Sequence, residues 1–334
     1  HIKAWKHTHH EEMLFHKFCQ FIATEQLHEV REVADDAGIR LKGDIPILIS
    51  PYSSDVWHQR HYFHIDEEVG SRPSKDDPKG QHWGFPSFNW RAHVEDNFAW
   101  WKKRLQIASQ FFSLYRIDHF VGLFRLWIIP QGAKPIEGGF KPELETQMIA
   151  QGSLIFSHIL NASSMLPIAE VMGIQPPFVK EVLLRAGVPY LKVTRYPTPD
   201  GDKERFLPVS SFDPLTLATV STHDIPPLRL WWQQNPEQAE AFTKVNHLPP
   251  TPLLTPEDQF VLLKKCHSAA SLFHANLLSE YLAMVPELSY DNPSDDVINI
   301  PGTQNETNWC FRHKISLESI MTNGVLCEKM RQLL

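Results

Sequence analysis

The sequence predicts an α/β fold built on a parallel sheet. Three observations carry that reading: short apolar strands alternate with longer amphipathic helices, several of those strands end in an acid, and no stretch approaches the roughly 20 apolar residues of a membrane span. The 334 residues suffice for one large domain or two smaller ones.

The elements follow in order. From Met13 to Ala37 the residues Phe15, Phe18, Phe21 and Ile22 recur at helical spacing, and Gly38 stands where a C-terminal cap belongs. Ile39 to Ile47 reads as a strand carrying Asp44 near its end. A second helix is expected from about Arg91, because Val94, Phe98, Trp101, Leu105, Ala108 and Phe112 form one apolar stripe. Strands are then expected at Ser113 to Asp118, Leu166 to Glu170, Tyr190 to Val193, Leu217 to Asp224 and Asp296 to Ile300. Helices are expected at Phe178 to Ala186, Leu228 to Asn235 and Gln259 to Met284, with a polar loop at Val69 to Lys79 and a proline-rich connection at Asn246 to Glu257. These six strands are too few to close a (β/α)8 barrel, so from the residues alone either two strands precede His1 or the sheet is open.

Composition narrows the function classes. With 32 basic and 39 acidic residues, a net charge of -7 and no long single-sign run, the chain lacks a footprint for a phosphate backbone, and no nucleic acid partner is expected. Cys19, Cys266, Cys310 and Cys327 show no C-x-x-C spacing and read as reduced thiols of a cytoplasmic protein. The start His1 to Lys6 is unlike a secretory signal, and no membrane association is expected. Ten tryptophans offer flat faces for sugars as well as packing material.

Four strands lead to an acid: Asp44, Asp118, Glu170 and Asp224. Barrel sites lie at the C-terminal ends of strands, so these carboxylates are expected to converge; the plain alternative is that each caps the helix after it. In Arg116-Ile117-Asp118, period two puts arginine and aspartate on one face, where the positive charge is expected to lower the Asp118 pKa and keep it ionised. Glu170 follows apolar Leu166 to Ala169, a setting expected to keep a carboxyl protonated. One carboxylate to attack an anomeric carbon and one acid to protonate the departing oxygen are what retaining glycoside chemistry requires. Asp224, after His223, is placed to hold sugar hydroxyls and oppose oxocarbenium charge.

The motifs Gly43-Asp44-Ile45-Pro46-Ile47, Asp55-Val56-Trp57, Gln81-His82-Trp83-Gly84, Arg116-Ile117-Asp118-His119-Phe120, Ile168-Ala169-Glu170, Thr222-His223-Asp224 and Asn299-Ile300-Pro301-Gly302-Thr303, in this order, resemble those of the amylomaltases, or 4-α-glucanotransferases. The resemblance spans nearly the whole chain. It implies the (β/α)8 TIM-barrel catalytic domain of the α-amylase type over residues 1–334, as about six βα units with inserted loops and with the first two strands not in this chain. It implies Asp118 as nucleophile, Glu170 as acid/base and Asp224 as transition-state stabiliser, with Arg116 and His223 at the nucleophile and the bound sugar; Asp44, Trp83, Gln81 and Asn299 are further candidates for binding substrate. The run Ile225 to Trp232 and Gly122 to Trp127 resemble the branch containing the plant cytosolic disproportionating enzyme. Val171 and Ile225-Pro226 depart from the family's usual residues, and Ser71 to Gly80 lacks the aromatic residues that the family carries over its site.

Histidines 7, 9 and 10, and 58, 61 and 64, lack the spacing of a metal motif, and the chemistry requires neither metal nor cofactor. Trp101 reads as core and Trp100 as a surface ring, while Trp83 reads as a loop residue suited to sugar stacking. The expected reaction is transfer of α-1,4-glucan segments or glucosyl units to a glucan or glucose acceptor, in glycogen, starch and maltose metabolism. An amylase-type α-glucan hydrolase, or a non-catalytic glucan-binding homologue, remains the alternative.

Overall fold

The computed structural model describes residues 2–74, 77–172, 175–196, 198–200, 203–303 and 305–333. The chain divides into two units, His1–Glu170 and Val171–Leu334.

The first unit begins with helices Ile2–Thr8 and His10–Asp36. The second stops where expected: Gly38 takes φ +70, a left-handed conformation that glycine adopts without a Cβ clash. Its apolar stripe does not pack within the unit as the spacing suggested. Phe15, Phe18 and Phe21 are exposed, and Ala34 is the helix's buried residue.

Seven strands follow: β1 (Lys42–Ile45), β2 (Phe63–Ser71), β3 (Gln81–Phe88), β4 (Leu114–Ile117), β5 (Leu126–Pro130), β6 (Gly139–Lys141) and β7 (Leu166–Ala169). β1, β4 and β7 pair in parallel, with Asp44 opposite Arg116 and Arg116 opposite Ile168. The others form an antiparallel sheet in the order β3-β2-β5-β6, which the sequence did not announce. Val69 to Ser71, expected in a loop, belongs to β2, and Trp83 lies on β3. Lys75 and Asp76 of the expected loop fall outside the described residues.

The helix expected from Arg91 is two, Trp90–Glu95 and Ala99–Ala108, because Asn97 and Phe98 both turn through positive φ. That break redirects the side chains. Val94 is exposed, while Phe98, Trp101, Leu105 and Ala108 are buried. Trp100 is buried too, not a surface ring: its indole N–H donates to Asp55 at 2.8 Å and its ring packs against Phe63 and Phe88. Burying each large side chain of this kind stabilises the fold by about 1.5–3 kcal/mol.

The second unit holds β8 (Tyr190–Val193), β9 (Thr198–Asp200), β10 (Lys203–Arg205), β11 (Thr216–Thr219) and β12 (Phe273–His274). β8, β11 and β12 pair in parallel, and β9 and β10 form an antiparallel hairpin. β12 replaces the strand expected at Asp296 to Ile300, where a 3-10 turn, Pro293–Asp296, is followed by irregular chain leading to Pro301. It interrupts the long helix expected from Gln259 to Met284, which is instead Pro256–His267 and Leu278–Leu282. Pairing of Phe273 and His274 with the edge of β11 overrides the local helical spacing. Helices Leu228–Gln234, Pro236–Val245, Pro256–His267 and Gly324–Leu333 close a core around Trp231, Trp232, Phe242 and Leu263. No described helix is long and apolar enough to cross a membrane.

Candidate active site

In the first unit three acids gather on one guanidinium. Strand pairing puts Asp44 beside Arg116, and the ladder continues past the strand ends: the Asp118 amide donates to Ile45 and the Glu170 amide to Ile117. Side chains alternate across a strand, so Asp44, Arg116, Asp118 and Glu170 fall on the same face of the sheet. Arg116 Nη1 lies 2.9 Å from Asp44 and 3.0 Å from Asp118, and Nη2 lies 2.9 Å from Glu170. The Asp44 contact is a two-oxygen hydrogen bond; the Glu170 contact is one of charge rather than of aligned donor and acceptor. Arg116 is 7% exposed, Glu170 14%, Asp118 32% and Asp44 46%, so the acids line an opening over a buried cation.

None of the four acids singled out in the sequence caps a helix. The segments after them begin at Ser53, His119, Pro176 and Pro227.

The electrostatics correct one expectation. Burial first, and the charge of Glu170 second, push Asp118 up to about 6, against the pull of Arg116. Arg116 therefore does not hold Asp118 below the ordinary carboxylate range, because burial and then the charge of Glu170 outweigh its pull. Those same acids, against burial, keep the guanidinium protonated. Glu170 is not in an apolar setting either: it faces Arg116 and accepts the His119 backbone N–H at 2.6 Å.

His119 was not singled out from the sequence by itself, although it stands inside a quoted motif. Its backbone is left-handed, with φ 42 and ψ 51, a conformation costing a non-glycine residue on the order of 1–3 kcal/mol. Burial pushes its imidazole down to about 4, against the attraction of Asp118, so the ring is neutral near pH 7. Trp83 meets this ring edge to face at 4.9 Å, and the Trp83 N–H donates to Gln81 at 2.9 Å. Gln81 and Trp83, two residues apart on β3, thus share a face beside the acid cluster.

The second unit holds the remaining predicted residues. Asp224 accepts from Asn299 Nδ2 at 2.7 Å and lies 3.0 Å from His223 Nε2. Trp309, which the sequence reading passed over, lies against His223 at 5.2 Å. A buried frame fixes the loop that carries them. Arg195 donates to the carbonyls of Val220, at 2.7 Å, and Pro226, while Glu280 accepts from Ser221 Oγ, from the Leu228 amide and from Gln259. Burial pushes Arg195 down to about 10, against the attraction of Glu280, which leaves it charged at neutral pH. The contacts at Val220, Ser221, Pro226 and Leu228 bracket residues 222–225 on both sides. Among the described residues no group of three histidine, cysteine or acidic side chains is arranged to hold a metal ion.

A family model described as 4-alpha-glucanotransferase matches residues 1–317. A 4-alpha-glucanotransferase of Chlamydia muridarum is 39% identical over 325 residues, covering 97% of this chain and 61% of that protein. The chain therefore spans about three fifths of the length of such a curated relative. A 4-alpha-glucanotransferase of Oryza sativa is 35% identical over 148 residues, but the match covers 43% of this chain and 16% of that protein. A closer tie to the plant branch, expected from the runs near Trp127 and Trp232, is thus not supported. Among solved structures, the amylomaltase of Streptococcus agalactiae in complex with acarbose superimposes with a TM-score of 0.79 at 23% identity, covering 99% of this chain and 64% of that one. The fold is that of an amylomaltase, the (β/α)8-type α/β architecture expected from the sequence.

Proposed function

The chain belongs to the 4-alpha-glucanotransferase family, and on that premise we propose that it transfers α-1,4-glucan segments or glucosyl units by a retaining double displacement. The observation that carries the reading is the single guanidinium shared by Asp118 and Glu170. A retaining pair is separated by about 5 Å, an inverting pair by roughly 6.5–9.5 Å, and two acids on the two arms of one fork suit the shorter spacing.

Asp118 attacks the anomeric carbon while Glu170 gives its proton to the departing glycosidic oxygen. The glucosyl–Asp118 ester then forms as the bond to the leaving sugar breaks. In the second half Glu170, now the base, takes a proton from an acceptor hydroxyl, and that oxygen displaces Asp118 with overall retention. Asp118 attacks in its ionised form, which burial and then the charge of Glu170 postpone to about pH 6. Arg116 stabilises the negative charge that returns to Asp118 when the ester is cleaved.

The role of Asp224 as stabiliser of the oxocarbenium-like transition state rests on the family resemblance, together with its hold by His223 and Asn299. Trp83 offers a half-buried ring, and Asp44 and Gln81 polar groups, to a bound glucan. The one-domain reading of residues 1–334 rests on the βα alternation running through both units. The acarbose held by the Streptococcus agalactiae amylomaltase supports malto-oligosaccharides as the substrate class, with glucose or another glucan as acceptor.

Incubation with maltotriose and separation of the products tests the proposal. Longer oligosaccharides accompanied by glucose support transfer; glucose and maltose with no longer product indicate hydrolysis, and binding without turnover indicates a glucan-binding homologue.

A further inference from the structure

We propose that Arg72 and Arg125, opposed across one end of the antiparallel sheet, form a binding site for a phosphate group, carried on a sugar or free in solution. The site lies wholly in the first unit and uses none of the residues assigned to the reaction. It stands or falls apart from the function proposed above.

Backbone register brings the pair together. β2 and β5 run antiparallel, with Glu67 opposite Pro130 and Gly70 opposite Trp127. The same register, carried two residues past Gly70, sets Arg72 directly opposite Arg125. Both guanidiniums meet one ring: Arg125 Cζ stands 3.9 Å and Arg72 Cζ 5.9 Å from the centroid of Phe140. That ring is itself held, since Phe140 pairs with Trp127 between β6 and β5 and meets it edge to face at 4.9 Å.

Like charges directly across a sheet destabilise it unless something neutralises them. Here no acid does. Among the described residues neither guanidinium makes an ion pair or a hydrogen bond. The glutamates of β2 are engaged elsewhere, Glu67 with Lys141 and Ser87, Glu68 with His82 and the Gly84 amide. Burial first, and the charge of Arg72 second, hold the Arg125 guanidinium below its ordinary range. A local rule broken without compensation is expected where function rather than packing selects the residues.

The pair also specifies its ligand. Each guanidinium presents a planar fork of N–H donors, and the shared ring keeps both forks together. A phosphate monoester carries about two negative charges at neutral pH and three acceptor oxygens, enough to meet both forks at once. A carboxylate, with one charge and two oxygens, satisfies one.

Calorimetric titration of the whole chain with inorganic phosphate and with glucose 6-phosphate, at neutral pH and fixed ionic strength with acetate as the control anion, tests this. One site with a Kd of about 1 mM or tighter is expected for at least one of the two phosphates, with no binding of acetate. Tighter binding of glucose 6-phosphate identifies a sugar as the carrier and equal binding identifies the free ion; either supports the site. Arg72→Gln and Arg125→Gln are each expected to weaken binding about tenfold or more, and Arg125→Lys, which keeps the charge without the fork, to weaken it less. Arg72→Gln also relieves the repulsion, so its Tm without phosphate should equal or exceed that of the wild type, and phosphate should no longer raise it. Its exposed position lets it carry the test if Arg125→Gln fails to fold. Absence of phosphate binding in the wild type, an equal response to acetate, or binding unchanged in Arg72→Gln overturns the proposal. Failure to turn over maltotriose would count against the proposed function and leave this measurement standing.

Discussion

Arg116 lies 3.0 Å from Asp118 with 7% of its own side chain exposed, yet the aspartate it faces is pushed up rather than down. Burial of the Asp118 carboxyl and the charge of Glu170 beside it outweigh the attraction of a guanidinium that also faces Asp44 and Glu170.

Removing the cation should therefore cost both stability and rate. Arg116→Met leaves three acids around an uncharged side chain, and breaking such a buried pair costs about 3–5 kcal/mol. Thermal unfolding should show a large fall in Tm, and kcat should fall by about three orders of magnitude. Arg116→Lys keeps the charge without the fork, so it should recover stability more than rate. Near-wild-type turnover in Arg116→Met would remove the guanidinium from the mechanism.

The raised Asp118 carboxyl makes a prediction about stability. Its folded value of about 6 lies above its ordinary 3.8, so the stability it contributes is full below about pH 4 and lost as pH rises through about 6. Asp118→Asn has no charge to bury. Its Tm should exceed that of the wild type by a few degrees at pH 8, and the gap should close toward pH 4. A gap that widens on acidification would mean that Arg116 dominates after all.

The pH dependence of activity follows from the same value. Asp118 attacks only when ionised, so kcat/KM should rise as pH rises through about 6. Initial rates of maltotriose disproportionation across pH 4 to 9, at fixed ionic strength, check this. A profile that is flat between pH 4 and 6, or that falls there, contradicts it.

In the second unit, hydrogen bonding should separate function from folding. Asn299→Ala removes the 2.7 Å bond to Asp224 from a partly exposed position, so kcat should drop about 10-fold or more with little change in Tm. Glu280→Gln disturbs a buried acceptor that holds Ser221, Leu228 and Gln259, and Tm should fall as well, by about 1–3 kcal/mol of stability. Equal effects of the two substitutions on Tm would contradict the distinction between frame and site.

Much of this was legible in the sequence because it depends on local pattern. Period two along Leu114 to Ile117 places Arg116 and Asp118 on one face, and apolar Leu166 to Ala169 delivers Glu170 to the next strand end. What depended on distant partners was hidden. The two residues of β12 are a strand only because β11 offers an edge, and β2 carries His64, Asp66, Glu67 and Glu68, whose charges mask its alternation. Phe15, Phe18 and Phe21 announced a helix without revealing that their side chains stand exposed. The Asp118 value could not be read from Arg116 alone, since it depends first on burial and then on the charge that Glu170 brings from the next strand. Left-handed backbone at His119 leaves no mark in composition, although histidine tolerates it better than a β-branched residue does.

The central claim is that Asp118 forms a glycosyl ester, and covalent trapping tests it most directly. A fluorinated α-glucosyl fluoride that forms the ester faster than it is resolved should add one glycosyl group to the intact mass, with release of fluoride. Peptide mapping should then place that group on Asp118, and Asp118→Asn should remain unlabelled. Labelling of another carboxylate, or an unlabelled wild type that nonetheless turns over the reagent, would contradict the account.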